Sequence, residues 1–384
     1  MDFELIKPSI PQVTGRPSQD SVLTGREVDG RRHDSPGLVG DAASIHSNTP
    51  RSPMVPADAF NSPVAEPSES IDAHRQRELK WMSLFPSVPP SQARKIKKIK
   101  KLLQEGVPSS VRYLVWCHLT DSKARALPGV YAKLEKRPRV PAFSEIEKDA
   151  LKCFPDQPQI HTSQGPLVSL LQAYLSMVPD IQYSPGLTSV SGHLLLLAPE
   201  EDAFWIFASI MDAHLRPYFS TNTNQVEVDA SLFSKALEVN DPVLAKKLYV
   251  QLSITPASIT RPWFSTLFVG TLPTEYLHRV WDIFLYDGMS YLFRIGLVVT
   301  NCVRHLLLRA HSEESALEYL IHPPLACLPS PTELLSLAPN VKLKDDDIRK
   351  QRIKMEQQLK RTTQVRPPNG VSIMQTASIS LPKT

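Results

Sequence analysis

The sequence predicts an all-α protein. Three observations carry that prediction: apolar residues recur at three- and four-residue spacing, prolines fall where helices would begin, and strand-type alternation is confined to the pair Val226 and Val228. The helical stripes run through Val111, Leu114, Val115 and Leu119, then Phe204, Phe207, Ala208 and Met211, then Leu277, Val280, Trp281, Phe284 and Leu285. Breakers separate them at Gly106-Val-Pro108, Pro128-Gly129, Pro138, Pro141, Pro185-Gly186, Pro199, Pro217, Pro242, Pro256, Pro262 and Pro273. The expected picture is many medium helices joined by short, proline-marked connections.

The flanks read differently. Residues 1–72 hold no Trp or Tyr and are rich in Ser and Pro, so they cannot bury enough apolar area to offset the entropy of ordering. This is expected to be a disordered arm, with Ser35-Pro36, Thr49-Pro50, Ser52-Pro53 and Ser62-Pro63 as places where phosphorylation would add charge. Composition shifts at Arg75-Gln-Arg-Glu-Leu-Lys-Trp81, and the helical domain is placed at 77–325. A charged helix is expected at 344–361, with acids first and bases last to match the helix dipole, and a loose tail over 362–384.

Composition excludes several functions. The 384 residues are 42% hydrophobic and 21% charged, which rules out a wholly disordered, collagen-like or coiled-coil chain. With 43 basic and 39 acidic residues the net charge is +4, too mild for a nucleic-acid binder, which would show a strongly basic face. Cysteines 117, 153, 302 and 327 have no metal-type spacing, and the start Met1-Asp2-Phe3-Glu4 has no signal-peptide character. Reduced thiols and a cytoplasmic location are expected. The longest apolar run, Leu194 to Pro199, is far short of the roughly 20 residues a spanning helix needs, so membrane contact would be peripheral.

No Gly-x4-Gly-Lys-Ser/Thr, Gly-x-Gly-x-x-Gly, Gly-x-Ser-x-Gly or His-Glu-x-x-His occurs. Lone histidines such as His118, His193 and His305 are expected to pack rather than to ligate. No cofactor and no metal site are predicted.

One constellation does carry functional information. It opens with Lys80-Trp81 and Glu105-Gly-Val-Pro-Ser-Ser-Val-Arg112-Tyr-Leu-Val-Trp116, where Pro108 suits a first helical turn and Arg112 and Trp116 sit one turn apart. Ile146-Glu-Lys-Asp149-Ala-Leu-Lys152-Cys153-Phe154-Pro155 and Val178-Pro-Asp-Ile-Gln-Tyr183-Ser184-Pro185-Gly186-Leu187 follow. Then come Glu200-Glu-Asp-Ala-Phe-Trp205, Trp263-Phe-Ser-Thr-Leu-Phe268, Leu272-Pro273-x-Glu275-x3-Arg279-Val-Trp281-Asp282 and Asp287-Gly288-x3-Leu-Phe293-Arg294. In this order, over about Glu78 to Leu320, the segments resemble the TBC domain, the helical module that binds Rab-type small GTPases and accelerates GTP hydrolysis.

The resemblance implies a two-lobed multi-helix fold, a Rab-type GTPase carrying GTP and magnesium as partner, and a role in vesicle traffic on endomembranes. It gives supporting places to Arg112, Asp149, Tyr183 and Gly186. Arg112, Asp149 and Arg279 suit internal salt bridges or caps better than contacts to a GTPase. Trp116, Trp205, Phe268 and Trp281 are expected in the core.

Two positions depart from the family pattern, and both are chemical. The second segment resembles Ile-x-x-Asp-x-x-Arg-Thr with Lys152 at the catalytic arginine and Cys153 at the threonine. The third resembles Asn-Pro-Asp-x-x-Tyr-x-Gln-Gly-Met with Pro185 at the catalytic glutamine. An arginine finger can be worth about 10³ to 10⁵ in rate. Lysine keeps the charge but lacks the planar fork that holds two oxygens at once. Proline has no amide to orient a water and no backbone N–H. Gln182, Gln164 or Gln172 could present another amide, and Arg137 or Arg139 another cation. The leading expectation is a GTPase-activating family member of weak or absent activity, against a non-catalytic effector, scaffold or helical adaptor.

A last feature is basic. Arg94, Lys95, Lys97, Lys98, Lys100 and Lys101 place six cations in eight residues, with Ile96, Ile99, Leu102 and Leu103 as an apolar stripe. Lys97 and Lys98 mark a helix that could meet an anionic membrane or an acidic partner, or simply form a solvated face over the domain.

Overall fold

The computed structural model describes residues 71–364, except 155, 156, 158, 159, 161, 163, 164 and 221–223 and the side chains of 356 and 358–364. The arm expected at 1–72 therefore lies, up to residue 70, outside the described residues, as do its Ser/Thr-Pro pairs, Gln164 and the tail beyond 364.

Prolines begin the helices, as their fixed φ and missing N–H favour. Pro166, Pro185, Pro242 and Pro256 open helices at the first turn, and Pro108, Pro199 and Pro273 stand one residue ahead of one. The principal helices are α1 (Ile71–Leu84), α2 (Lys97–Glu105), α3 (Ser109–Thr120), α4 (Val130–Glu135), α5 (Phe143–Ala150), α6 (Pro166–Met177) and α7 (Pro185–Leu195). They continue with α8 (Glu200–Ile210), α9 (Gln225–Asn240), α10 (Pro256–Ser265), α11 (Thr274–Asp287), α12 (Met289–Cys302) and α13 (Asp345–Gln364). Among the described residues, β pairing is limited to single bridges, Ile181 with Ser220 and Val269 with Leu272. The fold is all-α.

Val226 and Val228 belong to α9, where the longer stripe Val228, Leu232, Ala236 and its neighbour Leu237 is buried at helical spacing and outweighs a two-residue alternation. One local reading changes. Pro262 does not interrupt the chain but sits inside α10, whose last turn is closed by Ser265 Oγ donating to Arg261 O and Thr266 Oγ1 to Pro262 O.

The core is aromatic. Trp81, Trp116, Trp263 and Trp281 are fully buried, and the rings of Trp116 and Trp281 lie 5.6 Å apart between α3 and α11. Beside them sits Asp282, completely buried, which accepts from Arg112 Nε at 3.2 Å and from the Trp116 indole at 2.8 Å. Arg279 lies 3.8 Å from the other carboxylate oxygen and donates to the carbonyls of Leu103 and Gln104, capping the end of α2. Burial pushes the Asp282 carboxyl up to about 6, against the pull of the two guanidiniums. The motif residues Arg112, Trp116, Arg279 and Asp282 thus form one internal cluster that joins the first and later segments of the constellation.

Candidate functional site

The site is assembled from the end of α5 and the start of α7. α5 ends at Ala150, and the amides of Lys152 and Cys153 still donate to Asp149 O at 3.0 Å, so the chain completes one more turn before turning away. That turn carries Lys152, whose side chain is 75% exposed and whose ammonium lies 3.4 Å from Asp149 Oδ1. The partner Asp149 is mostly buried.

The other oxygen of Asp149 is held from across the gap. Tyr183 donates to Asp149 Oδ2 at 2.9 Å, and its oxygen lies 2.7 Å from Thr188 Oγ1, a fully buried hydroxyl that can donate in return. Burial and the neighbouring carboxylate hold the Tyr183 phenol above its ordinary range, so it stays a protonated donor. Ser184 is extended (φ −151°, ψ 148°), as a residue before proline must be, and Pro185 then opens α7 as an exposed first-turn residue. Lys152 and Pro185 therefore stand on two elements tied together by Asp149 and Tyr183.

Two anchors fix the elements further. Phe154 has φ +52° and lays its ring against α7 so closely that a Cβ on Gly192 would lie 2.1 Å from it; the ring also meets His193 edge-on at 5.0 Å. The loop ahead of Pro185 is pinned by the backbone N–H of Gln182 donating to Phe219 O at 2.9 Å. Buried Gly186 is packed against Thr266, whose Cγ2 would meet an added Cβ at 3.3 Å.

The remaining sequence-predicted residues distribute as follows. Arg112 lies in the Asp282 cluster, with its Nη2 donating to Val107 O at 2.6 Å. Gln172 is buried and fully engaged, accepting from Val140 N at 3.0 Å and donating to Pro138 O at 2.9 Å, so it cannot present its amide to a partner. Gln182, Arg137 and Arg139 are exposed. His118 and His193 are buried, but His305 is exposed at the surface of a short helix. On α2, Ile99, Leu102 and Leu103 are buried, Lys100 binds Asp287 at 2.9 Å, and Lys97, Lys98 and Lys101 face solvent, as does Lys95 in the turn ahead of the helix. The apolar stripe of that segment is thus covered by the domain. Among the described residues there is no cluster of three or more His, Cys, Asp or Glu able to hold a metal, and no helix long and apolar enough to cross a membrane.

Sequence reasoning missed Thr188, Phe154 and Gly192. A glycine inside an apolar helical stretch signals a close approach, and Gly192 was such a signal.

A family model for the Rab-GTPase-TBC domain matches residues 109–308, more than half of the 384-residue chain. The chain belongs to this family. TBC1 domain family member 10B of Homo sapiens is 33% identical over 249 residues, covering 63% of this chain and 30% of that protein. Carabin of Mus musculus is 33% identical over 238 residues, covering 60% of this chain and 53% of that protein. TBC1 domain family member whacked of Drosophila melanogaster is 30% identical, covering 58% and 63%. The chain spans less than two thirds of the length of each of these curated relatives. The crystal structure of the Chlamydomonas flagellar RabGAP TBC domain matches with a TM-score of 0.57 at 21% identity, covering 70% of this chain and 91% of that one. The Ypt/Rab-GAP domain of Gyp1p matches with 0.57 at 14% identity, covering 70% and 98%. At these identities the likeness speaks to the fold, which is that of the TBC domain.

Proposed function

We propose that this TBC domain binds Rab-type small GTPases in their GTP- and magnesium-loaded state and accelerates hydrolysis weakly or not at all, acting as a cytoplasmic regulator of vesicle traffic at endomembranes. One observation carries the reading. The elements that would reach into a nucleotide pocket are braced by Asp149 and Tyr183, yet they present an ammonium already 3.4 Å from a carboxylate and a pyrrolidine ring. Neither can clamp a transferring phosphoryl group bidentately or orient a water. Any residual hydrolysis would draw on the GTPase's own groups.

Single-turnover GTP hydrolysis by a panel of Rab proteins, with wild type and with the Lys152→Arg, Pro185→Gln double variant, tests this. Both positions are exposed and Pro185 is a first-turn residue, so neither replacement disturbs packing. Acceleration in the double variant alone is the expected result; acceleration by wild type of several orders of magnitude would refute it.

A second reading concerns α2. Lys95, Lys97, Lys98 and Lys101 are exposed, and each cation near an anionic surface adds about 1 kcal/mol. With the apolar stripe buried, such contact would be electrostatic and peripheral. Co-sedimentation with phosphoinositide-containing liposomes, lost on Lys97→Glu plus Lys98→Glu and in high salt, is the corresponding measurement.

A further inference from the structure

Beside the Asp149–Tyr183 brace, a groove of about 570 Å³ runs between the connection leading into α5 and the Pro179–Tyr183 segment. Its apolar lining includes Val140, Leu175 and Ile181; its polar side chains are Arg137, Arg139, Gln182, Ser176 and Tyr183, and no carboxylate lines it.

Both walls are fixed from behind. Gln172 binds the backbone of Val140 and Pro138 and reaches Ser176 Oγ at 3.1 Å. On the other side the backbone N–H of Gln182 donates to Phe219 O, and Tyr183 donates to Asp149. The groove is therefore formed before any partner arrives, which lowers the ordering cost of binding. Its two cations remain available: Arg137 uses Nη1 on Ser176 O at 2.9 Å, and Arg139 lies 4.2 Å over the Phe143 ring without an ion pair among the described residues. A stacked guanidinium is oriented but keeps its in-plane donors free.

Resting on the GTPase-binding reading above, we infer that this groove grips an acidic segment of the GTPase, with a carboxylate on the Arg137–Arg139 rim and an adjacent apolar side chain over Val140 and Ile181. Two features select that occupant. The lining carries cations and no acid, and a planar guanidinium matches a carboxylate with two parallel hydrogen bonds. Tyr183 belongs both to the groove and to the brace that ties the element carrying Lys152 to the one carrying Pro185, so a segment seated here lies directly against that brace.

The test is equilibrium binding of the full chain to a panel of Rab proteins loaded with a non-hydrolysable GTP analogue. Arg137→Glu plus Arg139→Glu is expected to weaken binding by about tenfold or more, with a reduced salt dependence. Arg137→Lys plus Arg139→Lys should recover part of the loss, because charge returns without the fork. Melting temperatures stay unchanged, since both side chains are exposed. If wild type binds and the charge-reversed variant binds within about twofold of it, the groove assignment is overturned while the GTPase-binding reading stands. If no member of the panel binds wild type in either nucleotide state, the GTPase reading fails and this occupant falls with it.

Discussion

The phenolic hydroxyl of Tyr183, two residues ahead of α7, donates to Asp149 of α5 at 2.9 Å, and this contact helps join the element that carries Lys152 to the one that carries Pro185. The carboxylate is shared, one oxygen turned to Tyr183 and the other to Lys152. The Lys152 ammonium meets that carboxylate at the surface, and Pro185 stands exposed in the first turn of α7.

The contact makes a prediction for Tyr183→Phe. Removing the hydroxyl leaves the buried Thr188 hydroxyl without its neighbour and frees one oxygen of a mostly buried Asp149. The cost is expected to be about 1–3 kcal/mol in urea unfolding, the range for leaving a buried polar group unmade. Lys152→Ala at the other oxygen should cost no more than about 0.5 kcal/mol, because that ion pair is exposed on the lysine side. Equal effects from the two substitutions would show that the brace is not where the stability lies.

Asp282→Asn probes the internal cluster. The amide would keep the volume but leave the mostly buried Arg112 and Arg279 without their shared anion. Removing one partner of a buried ion pair costs about 3–5 kcal/mol. The expected outcome is a large loss in midpoint denaturant concentration, or failure to accumulate folded protein, with no comparable effect from an exposed-pair control such as Arg261→Ala.

These contrasts show what was legible in the sequence. The helices were legible because their apolar stripes are long and their starts are marked by proline. Arg112, Trp116 and Arg279 were legible as structural, because they stand on apolar helical stripes where a charge is held by an internal partner, but the buried carboxylate that holds them, Asp282, was not singled out. The Tyr183–Asp149 contact was only half legible: both residues stood in recognisable segments, but 34 positions separate them and no periodicity links them. Phe154 and Gly192 escaped almost wholly, since a ring filling the space above a missing Cβ depends on how α5 and α7 are set, which no local pattern encodes.

Stability should also depend on pH in a calculable direction. Burial lowers His193 to about 4, His214 to about 4 and His278 to about 3, from an ordinary 6.5. A histidine with a depressed native pKa contributes stability that is complete above pH 6.5 and is lost as pH falls toward its native value, because the unfolded chain takes up the proton first. Asp282, raised by burial to about 6 from 3.8, acts oppositely, gaining stability as pH falls through the same range. Asp229, also raised by burial, acts as Asp282 does, but the three histidines outnumber the two carboxyls, so stability should fall as pH drops through about 5. Denaturant midpoints measured from pH 7 to pH 4 check this. His278→Phe, which keeps the edge-on contact with Trp116 at 5.8 Å, should flatten the slope, and an unchanged slope would exclude His278 as a contributor.

The anchor behind Lys152 gives the last prediction. Gly192 lies in the middle of α7, where glycine is ordinarily unfavourable by about 1 kcal/mol relative to alanine, so Gly192→Ala in an open site would stabilise the helix. Here the added methyl carbon would sit 2.1 Å from Phe154 Cε2, far inside contact distance. The ring cannot simply swing away, because it also packs against His193 and its backbone is held at φ +52°. The sign should therefore reverse, with Gly192→Ala costing about 1–3 kcal/mol, the usual range for overpacking. Phe154→Ala removes the obstacle at the expense of a lost ring, so in the double variant the alanine at 192 should become neutral or favourable. A double-mutant cycle in urea then reads a coupling of about 1–3 kcal/mol between the two positions. Additive effects would mean that the ring does not rest on Gly192 and that this packing does not help hold the turn bearing Lys152 to α7.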